Sequence, residues 1–196
     1  MLRTTALISL FFLLGCGSRV PPIPAAARHQ APREAAPASA WRGDGRLEVN
    51  APGHHLSADM QLRSDGSAIV IAIIADGGIV LLSGRVTPAT TEVVSVVEAL
   101  QKYAVPILTI ASAWLPRHGE LTWHGKHRIG PQGPHARRHY GGDPVFLRRV
   151  DGTPWPIRVE DYRPLDSGAW VAHALTGEGP LTTQIQLRLL NANTTP

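Results

Sequence analysis

One cysteine, Cys16, stands in a chain of 196 residues. A single thiol rules out any disulfide within the chain, so a folded domain must be held by a hydrophobic core. Long apolar runs are missing too. The N-terminal run from Ala6 to Leu14 is well short of the roughly 20 residues that cross a bilayer core, and no later segment is longer. Charge is sparse, at 17% of residues, with a formal net charge of +4. Catalytic signatures are absent as well. Ser83-Gly84 and Ser112 lack the flanks of a strained nucleophile elbow. Asp59, Asp65, Asp76 and Glu98 show no paired spacing of the kind glycoside chemistry uses. No glycine-rich loop is placed to cradle a phosphate. These absences argue against an enzyme and imply no cofactor.

What is present begins at the N-terminus. Arg3 precedes a compact apolar stretch, the pattern of a secretory signal that is removed. Leu13-Leu14-Gly15-Cys16 closes it, followed by the small residues Gly17 and Ser18. This stretch resembles the lipobox of bacterial lipoproteins. The resemblance implies cleavage before Cys16, a diacylglyceryl group on its sulfur and an acylated amino end. The chemistry requires a thiolate nucleophile. Two or more acyl chains anchor stably, at about 0.8 kcal/mol per buried methylene. Residue 17 is Gly rather than Asp, so the resemblance implies delivery to the outer membrane, facing the periplasm. That compartment excludes nucleic acid as a partner. An ordinary secreted chain whose signal happens to contain a cysteine is the plainer alternative.

Residues 1–15 are thus expected to be a signal peptide, and residues 16–40 an acylated cysteine followed by a Pro- and Ala-rich linker. The linker has no periodic apolar pattern and reads as a semi-extended spacer, or as a Pro-rich arm for a partner. Residues 41–191 leave room for one domain, and 192–196 form a tail. Within the domain, Leu47 and Val49 alternate with Arg46 and Glu48. Leu56, Ala58, Met60 and Leu62 alternate with Ser57, Asp59 and Gln61. Both stretches predict strands with one dry face. Ala68 to Ala75 is continuously apolar, and Asp76-Gly77-Gly78 turns it into Ile79 to Leu82. Further strands are expected at 120–124, 145–150, 157–162, 169–175 and 184–190. Between 91 and 115 the period changes. Val93, Val97, Leu100 and Ala104 fall at helical spacing, then Ile107, Ile110 and Trp114 follow Pro106. Proline suits a helix start better than a helix interior, so this stretch predicts two amphipathic helices broken at Val105-Pro106. The fold class expected is mainly β with an α insert: a curved antiparallel half-barrel sheet covered by a helical lid.

Three segments then point to a family. "WRGDGRLEV" (41–49), "VPILTIASAWLPRHG" (105–119) and "PWPIRVEDYR" (154–163) resemble the opening strand, lid segment and a late strand of the LolA/LolB lipoprotein carriers. The LolB branch is itself lipid-anchored in the outer membrane. The resemblance implies a non-enzymatic carrier that takes acyl chains of a lipoprotein or lipid into an apolar cavity. The sheet residues placed in such a cavity are Leu47, Val49, Leu56, Met60, Ile71, Ile73 and Leu81. The lid residues are Leu100, Ile107, Ile110 and Trp114. The alternative is a structural or assembly lipoprotein. There the same residues form a closed core, and a basic loop docks a protein partner.

That loop runs from Gly125 to Gly142, departs from the family pattern and is rich in His and Arg. His124, His127, His135 and His139 could in principle hold a late first-row metal. Proline and glycine separate them, no cysteine joins them, and Asp143 lies outside the cluster. A solvated basic loop that touches lipid headgroups is the simpler expectation, with no resident metal.

Overall fold

The computed structural model describes residues 40–116, 122–124, 127–132, 136–141 and 145–195. The signal, Cys16 and most of the linker lie outside the described residues. So do Arg117 to Leu121, His135 and Asp143. One antiparallel sheet carries twelve strands: β1 (Trp41–Ala51), β2 (His54–Ser64), β3 (Ile69–Ile74), β4 (Val80–Val86), β5 (Thr91–Val96), β6 (Thr122–His124), β7 (His127–Gln132), β8 (Ala136–Gly141), β9 (Phe146–Asp151), β10 (Ile157–Pro164), β11 (Trp170–Glu178) and β12 (Gln184–Thr194). Their order is β5-β4-β3-β2-β1-β12-β11-β10-β9-β8-β7-β6. Every neighbour is therefore the next strand in sequence except β1 and β12, which pair at the centre. The chain starts in the middle of the sheet, zigzags to one edge, crosses over, and zigzags back from the other edge.

The crossing is helical. α1 (Gln101–Ala111) is flanked by single 3-10 turns at Glu98–Leu100 and Ser112–Trp114. It packs on β4, β5, β11 and β12. The protein is thus a curved half-barrel with a helical lid on its inner face. Period-two alternation sends one set of side chains under the lid. Registers join them into rows such as Met60–Ile73–Leu82 and Leu47–Leu187–Leu175.

The lid segment differs from the sequence expectation in two respects. Residues 91–96 form an edge strand, not a helix. Thr91, Val93, Val94 and Val96 are β-branched, stiff at χ1, and suited to a pleated surface. The spacing of Val93 and Val97 fitted a helix only by coincidence. Nor does Pro106 separate two helices, because it lies inside α1. A proline there forgoes one backbone hydrogen bond and crowds the carbonyl four residues back, costing about 3 kcal/mol. Burial of Ile107, Leu108 and Ile110 on the sheet holds the turn together regardless.

The basic segment is also not a loop. It supplies β7 and β8, which extend the sheet beyond β9.

Candidate functional site

The inner face and the lid form one continuous apolar cluster. Leu100, Ile107, Leu108 and Ile110 have no solvent exposure. Tyr103, Ala104 and Ala111 complete the same stripe, while Gln101, Lys102 and Val105 face water. Two glycines let the helix come close. A Cβ on Gly84 would lie 2.6 Å from Leu108 Cδ1, and a Cβ on Gly177 would lie 2.3 Å from Ile110 Cδ1. Gly84 sits in the row Leu62–Ile71–Gly84, and Gly177 in the row Val49–Ile185–Gly177. Each is a bare patch in an otherwise branched surface, and a lid side chain fills it.

Polar anchoring is concentrated at the lid's C-terminal end. Trp114 Nε1 donates to Ala172 O at 2.7 Å, and its ring meets Trp41 edge-on at 6.0 Å. Ala172 can accept because β11 pairs with β12 only from Ala174 to Glu178. Arg138, from β8, donates to Leu115 O at 3.0 Å and to Ser112 O at 2.9 Å. Those carbonyls end a helical segment and carry its negative dipole end, so a guanidinium there is doubly favoured. Arg138 is only 4% exposed. The expectation of a wholly solvated basic segment is corrected at this residue: its charge is spent on the lid.

His173 Nδ1 lies 3.1 Å from Leu189 O, across the place where the β11–β12 ladder has opened. Burial pushes its pKa below the ordinary 6.5, with Arg163 lowering it further and Asp161 and the Leu189 carbonyl opposing. The folded state therefore prefers neutral His173. As pH falls through 6.5, the unfolded chain takes up a proton first, so stability is full above that pH and declines below it. Urea unfolding at pH 7.5 and 5.5 is expected to show lower stability at 5.5. The slope contributed by this group cannot exceed about 1.4 kcal/mol per pH unit. His173→Gln is expected to flatten that part of the profile. Asp161, whose carboxyl is held low by Arg163, matters only in more acid solution.

The residues singled out from sequence fall as follows. Leu47, Val49, Met60, Ile71 and Ile73 are fully or almost fully buried on the inner face, beneath the same lid that carries Leu100, Ile107, Ile110 and Trp114. Leu56 and Leu81 are half-buried at the margin of the cluster. At this point of β4 the wholly buried residue is Leu82. Ile73 pairs with Leu82 while Ile74 pairs with Val80, so Leu81 is the extra residue of a bulge, which shifts the alternation by one. Leu108, Gly84, Gly177 and Arg138 escaped the sequence reading. Leu108 completes an i, i+4 pair with Ala104, a pattern lost once the helix is split at Pro106. A glycine inside a strand does signal close backbone approach, and that signal was available for Gly84 and Gly177.

For metal binding, the side chains of His124, His127 and His135 lie outside the described residues. His139 has Nε2 3.0 Å from Asp151 Oδ2, and Asp151 also holds Arg149. Among the described residues no three ligating groups converge, and no helix is long and apolar enough to cross a membrane.

No protein-family model matches the sequence, and no curated protein matches it. Solved structures match by fold. An outer membrane lipoprotein-sorting protein domain from Vibrio parahaemolyticus is 10% identical, with a TM-score of 0.50 over 80% of this chain and 86% of that one. A DUF1329 family protein from Desulfovibrio piger is 12% identical, with a TM-score of 0.48 over 80% and 86%. A LolA superfamily protein from Nitrosomonas europaea is 12% identical, with a TM-score of 0.44 over 82% and 88%. At such identities the likeness is one of fold: a LolA/LolB-type half-barrel with its lid.

Proposed function

We propose that this chain is an outer-membrane-anchored lipoprotein of the periplasm that binds the acyl chains of a lipoprotein or lipid between its inner face and its lid. The fold is of a type used in lipoprotein sorting. The observation that carries the reading is the asymmetry of the lid. Polar bonds hold its C-terminal end, at Trp114 and at the carbonyls that Arg138 caps, whereas Leu100 to Ile110 touch the sheet through apolar atoms. Apolar contacts have no directional requirement. An alkyl chain can take the place of Ile107, Leu108 and Ile110 and return much the same burial, at about 0.8 kcal/mol per methylene. A ligand that binds the lid-raised form better then draws the population towards it. The role is binding rather than catalysis, and the membrane tether is the acylated Cys16.

A second reading is favoured by the seating of Leu108 on Gly84 and Ile110 on Gly177, which fills the inner face with the protein's own side chains. On that reading the domain is a structural or assembly lipoprotein that docks a protein partner.

One titration separates them. The chain from Gly17 onward is titrated with a hydrophobic fluorophore and then challenged with a diacylated lipopeptide. Carrier behaviour means saturable binding that the lipopeptide displaces. It also means a loss of at least tenfold in Ile110→Glu, where an unpaired carboxylate opposes an alkyl occupant. Absence of saturable binding by the cooperatively folded wild-type chain assigns the protein to the scaffold class.

A further inference from the structure

The chain enters the domain at Ala40 and Trp41, at one end of the two central strands. Alternation turns Trp41 inward and Arg42 outward. Arg42 pairs in register with Arg63 on β2, Arg63 with Val70 on β3, and Val70 with Arg85 on β4. The outer face at this end thus carries the row Arg42–Arg63–Val70–Arg85, all four exposed, Val70 by 52%. Arg42 and Arg63 are like charges directly opposed on neighbouring strands, which destabilises a sheet, so fold stability does not account for that pair. Four other exposed arginines have acidic partners: Arg46 with Asp59 at 4.0 Å, Arg158 with Glu178 at 2.9 Å, Arg163 with Asp161 at 2.6 Å, and Arg149 with Asp151. Among the described residues, Arg42, Arg63 and Arg85 have no ion pair of this kind. Three carboxylates lie nearby. Glu92 on β5 pairs in register with Arg85, although the two form no ion pair within 4.0 Å. Asp44 shares the outer face of β1 with Arg42. Asp65 is turned into its own turn, where it accepts from the N–H groups of Ser67 and Ala68 and from Ser67 Oγ, at 2.7 to 2.8 Å.

On the other side of the entry point, at the same end, three rings gather, of which Tyr162 also packs against the core. Phe146 and Tyr162 stack at 4.3 Å, and Trp170 leans on Phe146 at 5.5 Å. The Arg148 guanidinium lies 5.6 Å from the Phe146 ring and 6.0 Å from the Tyr162 ring. The three rings are half-buried. Tyr162 donates to Leu147 O at 3.0 Å, and burial pushes its phenol pKa up, so it stays a donor.

We propose that this end of the sheet rests on an anionic lipid bilayer, with Arg42, Arg63 and Arg85 on its phosphates and the Phe146–Tyr162–Trp170 cluster at the headgroup level. Three features agree on that occupant. Guanidinium groups match phosphate geometry. Aromatic rings with one apolar and one polar side settle at the membrane–water boundary. The chain outside the described residues also leaves from this end, between the two patches, and carries the expected lipid anchor. The half-barrel is thereby oriented, with the β1–β2, β3–β4 and β11–β12 turns pointing away from the bilayer. This inference shares the tether of the proposed function but not its acyl-chain site.

The twelve strands and the lid lie between Trp41 and Thr194, so their core is complete without the leader. The test therefore uses the unacylated chain from Gly17 onward, co-sedimented with vesicles of phosphatidylglycerol and phosphatidylethanolamine or with vesicles of phosphatidylcholine alone. Binding is expected to the anionic vesicles only, and to weaken as salt rises. A basic residue at the surface is worth about fivefold in affinity. The triple change Arg42→Gln, Arg63→Gln, Arg85→Gln is therefore expected to lose roughly a hundredfold, and Trp170→Ala to lose part of what remains. The double change Arg149→Gln, Arg158→Gln should bind as wild type. Equal binding to both vesicle types, undiminished binding by the triple variant, or the same loss in the double variant would each overturn the proposal. Displacement of the fluorophore by lipopeptide, with no vesicle binding, would sink this inference and leave the acyl-chain reading standing. The reverse result would do the opposite.

Discussion

Trp114→Ala is expected to destabilise the protein by about 3–5 kcal/mol, the range for deleting a buried Trp from a core. The residue is 7% exposed, packs on Trp41 and satisfies the Ala172 carbonyl. Its loss leaves a cavity and, in addition, an unpaired acceptor, which costs about 1–3 kcal/mol where water cannot enter. Urea denaturation measures the sum. Hydrogen exchange locates it. The amides of α1 should exchange far faster in the variant, while those of β2 and β3 should change only in proportion to global stability. Trp114→Phe keeps most of the volume and loses the donor. It should fall between wild type and alanine. A Trp114→Ala protein as stable as wild type would mean that the lid is not fastened where the geometry says.

The second large effect is expected at Gly45. It lies beside a register shift on the β1–β12 pairing, and a Cβ there would stand 2.2 Å from Arg188 O and 2.8 Å from Met60 Cε. Met60 can move aside, because its side chain is flexible. The Arg188 carbonyl is backbone and cannot move without parting the strands. Gly45→Ala is therefore expected to cost at least the 1–3 kcal/mol usual for overpacking. Gly45→Val should prevent cooperative folding. Gly53→Ala, at a turn where a Cβ meets nothing, is the companion variant. Its φ of +69° makes it strained, but only locally. A melting temperature depressed no further by Gly45→Ala than by Gly53→Ala would contradict the close seam.

Period-two alternation was legible wherever strands have one wet face. β1, β2 and β12 read cleanly because Arg46, Gln61 and Arg188 alternate with Leu47, Leu62 and Leu187. The lid's existence was legible from Ile107, Ile110 and Trp114. Its beginning was not, because a valine-rich edge strand imitates an amphipathic helix over two turns and only pairing with β4 distinguishes them. β7 and β8 were hidden by composition. Glycine, proline and histidine punctuate a loop as readily as an edge strand, and β-propensity depends on neighbours that a sequence does not show. β11 was legible as a strand but not as one buried on both faces, since His173 and Thr176 look polar until their surroundings are known. Arg138 could not be found at all. An arginine that caps a helix 26 residues away in sequence has the same local pattern as one in water.

The meeting of β1 and β12 at the centre of the sheet has a consequence for biosynthesis. As the polypeptide emerges amino end first, β1 to β5 can pair by short turns, each strand finding the one just made. β1 itself then has one open flank. Its partner β12 is the last strand to appear, and Trp41 waits for Thr194. Closing so long a loop is slow, because its entropy is lost before any pairing is gained. Throughout that interval the strand bearing Leu47 and Val49 is an uncapped apolar edge, the kind that pairs with strangers. The nascent chain therefore needs protection until β12 is free, whereas the finished protein has hidden that strand in the middle of its sheet.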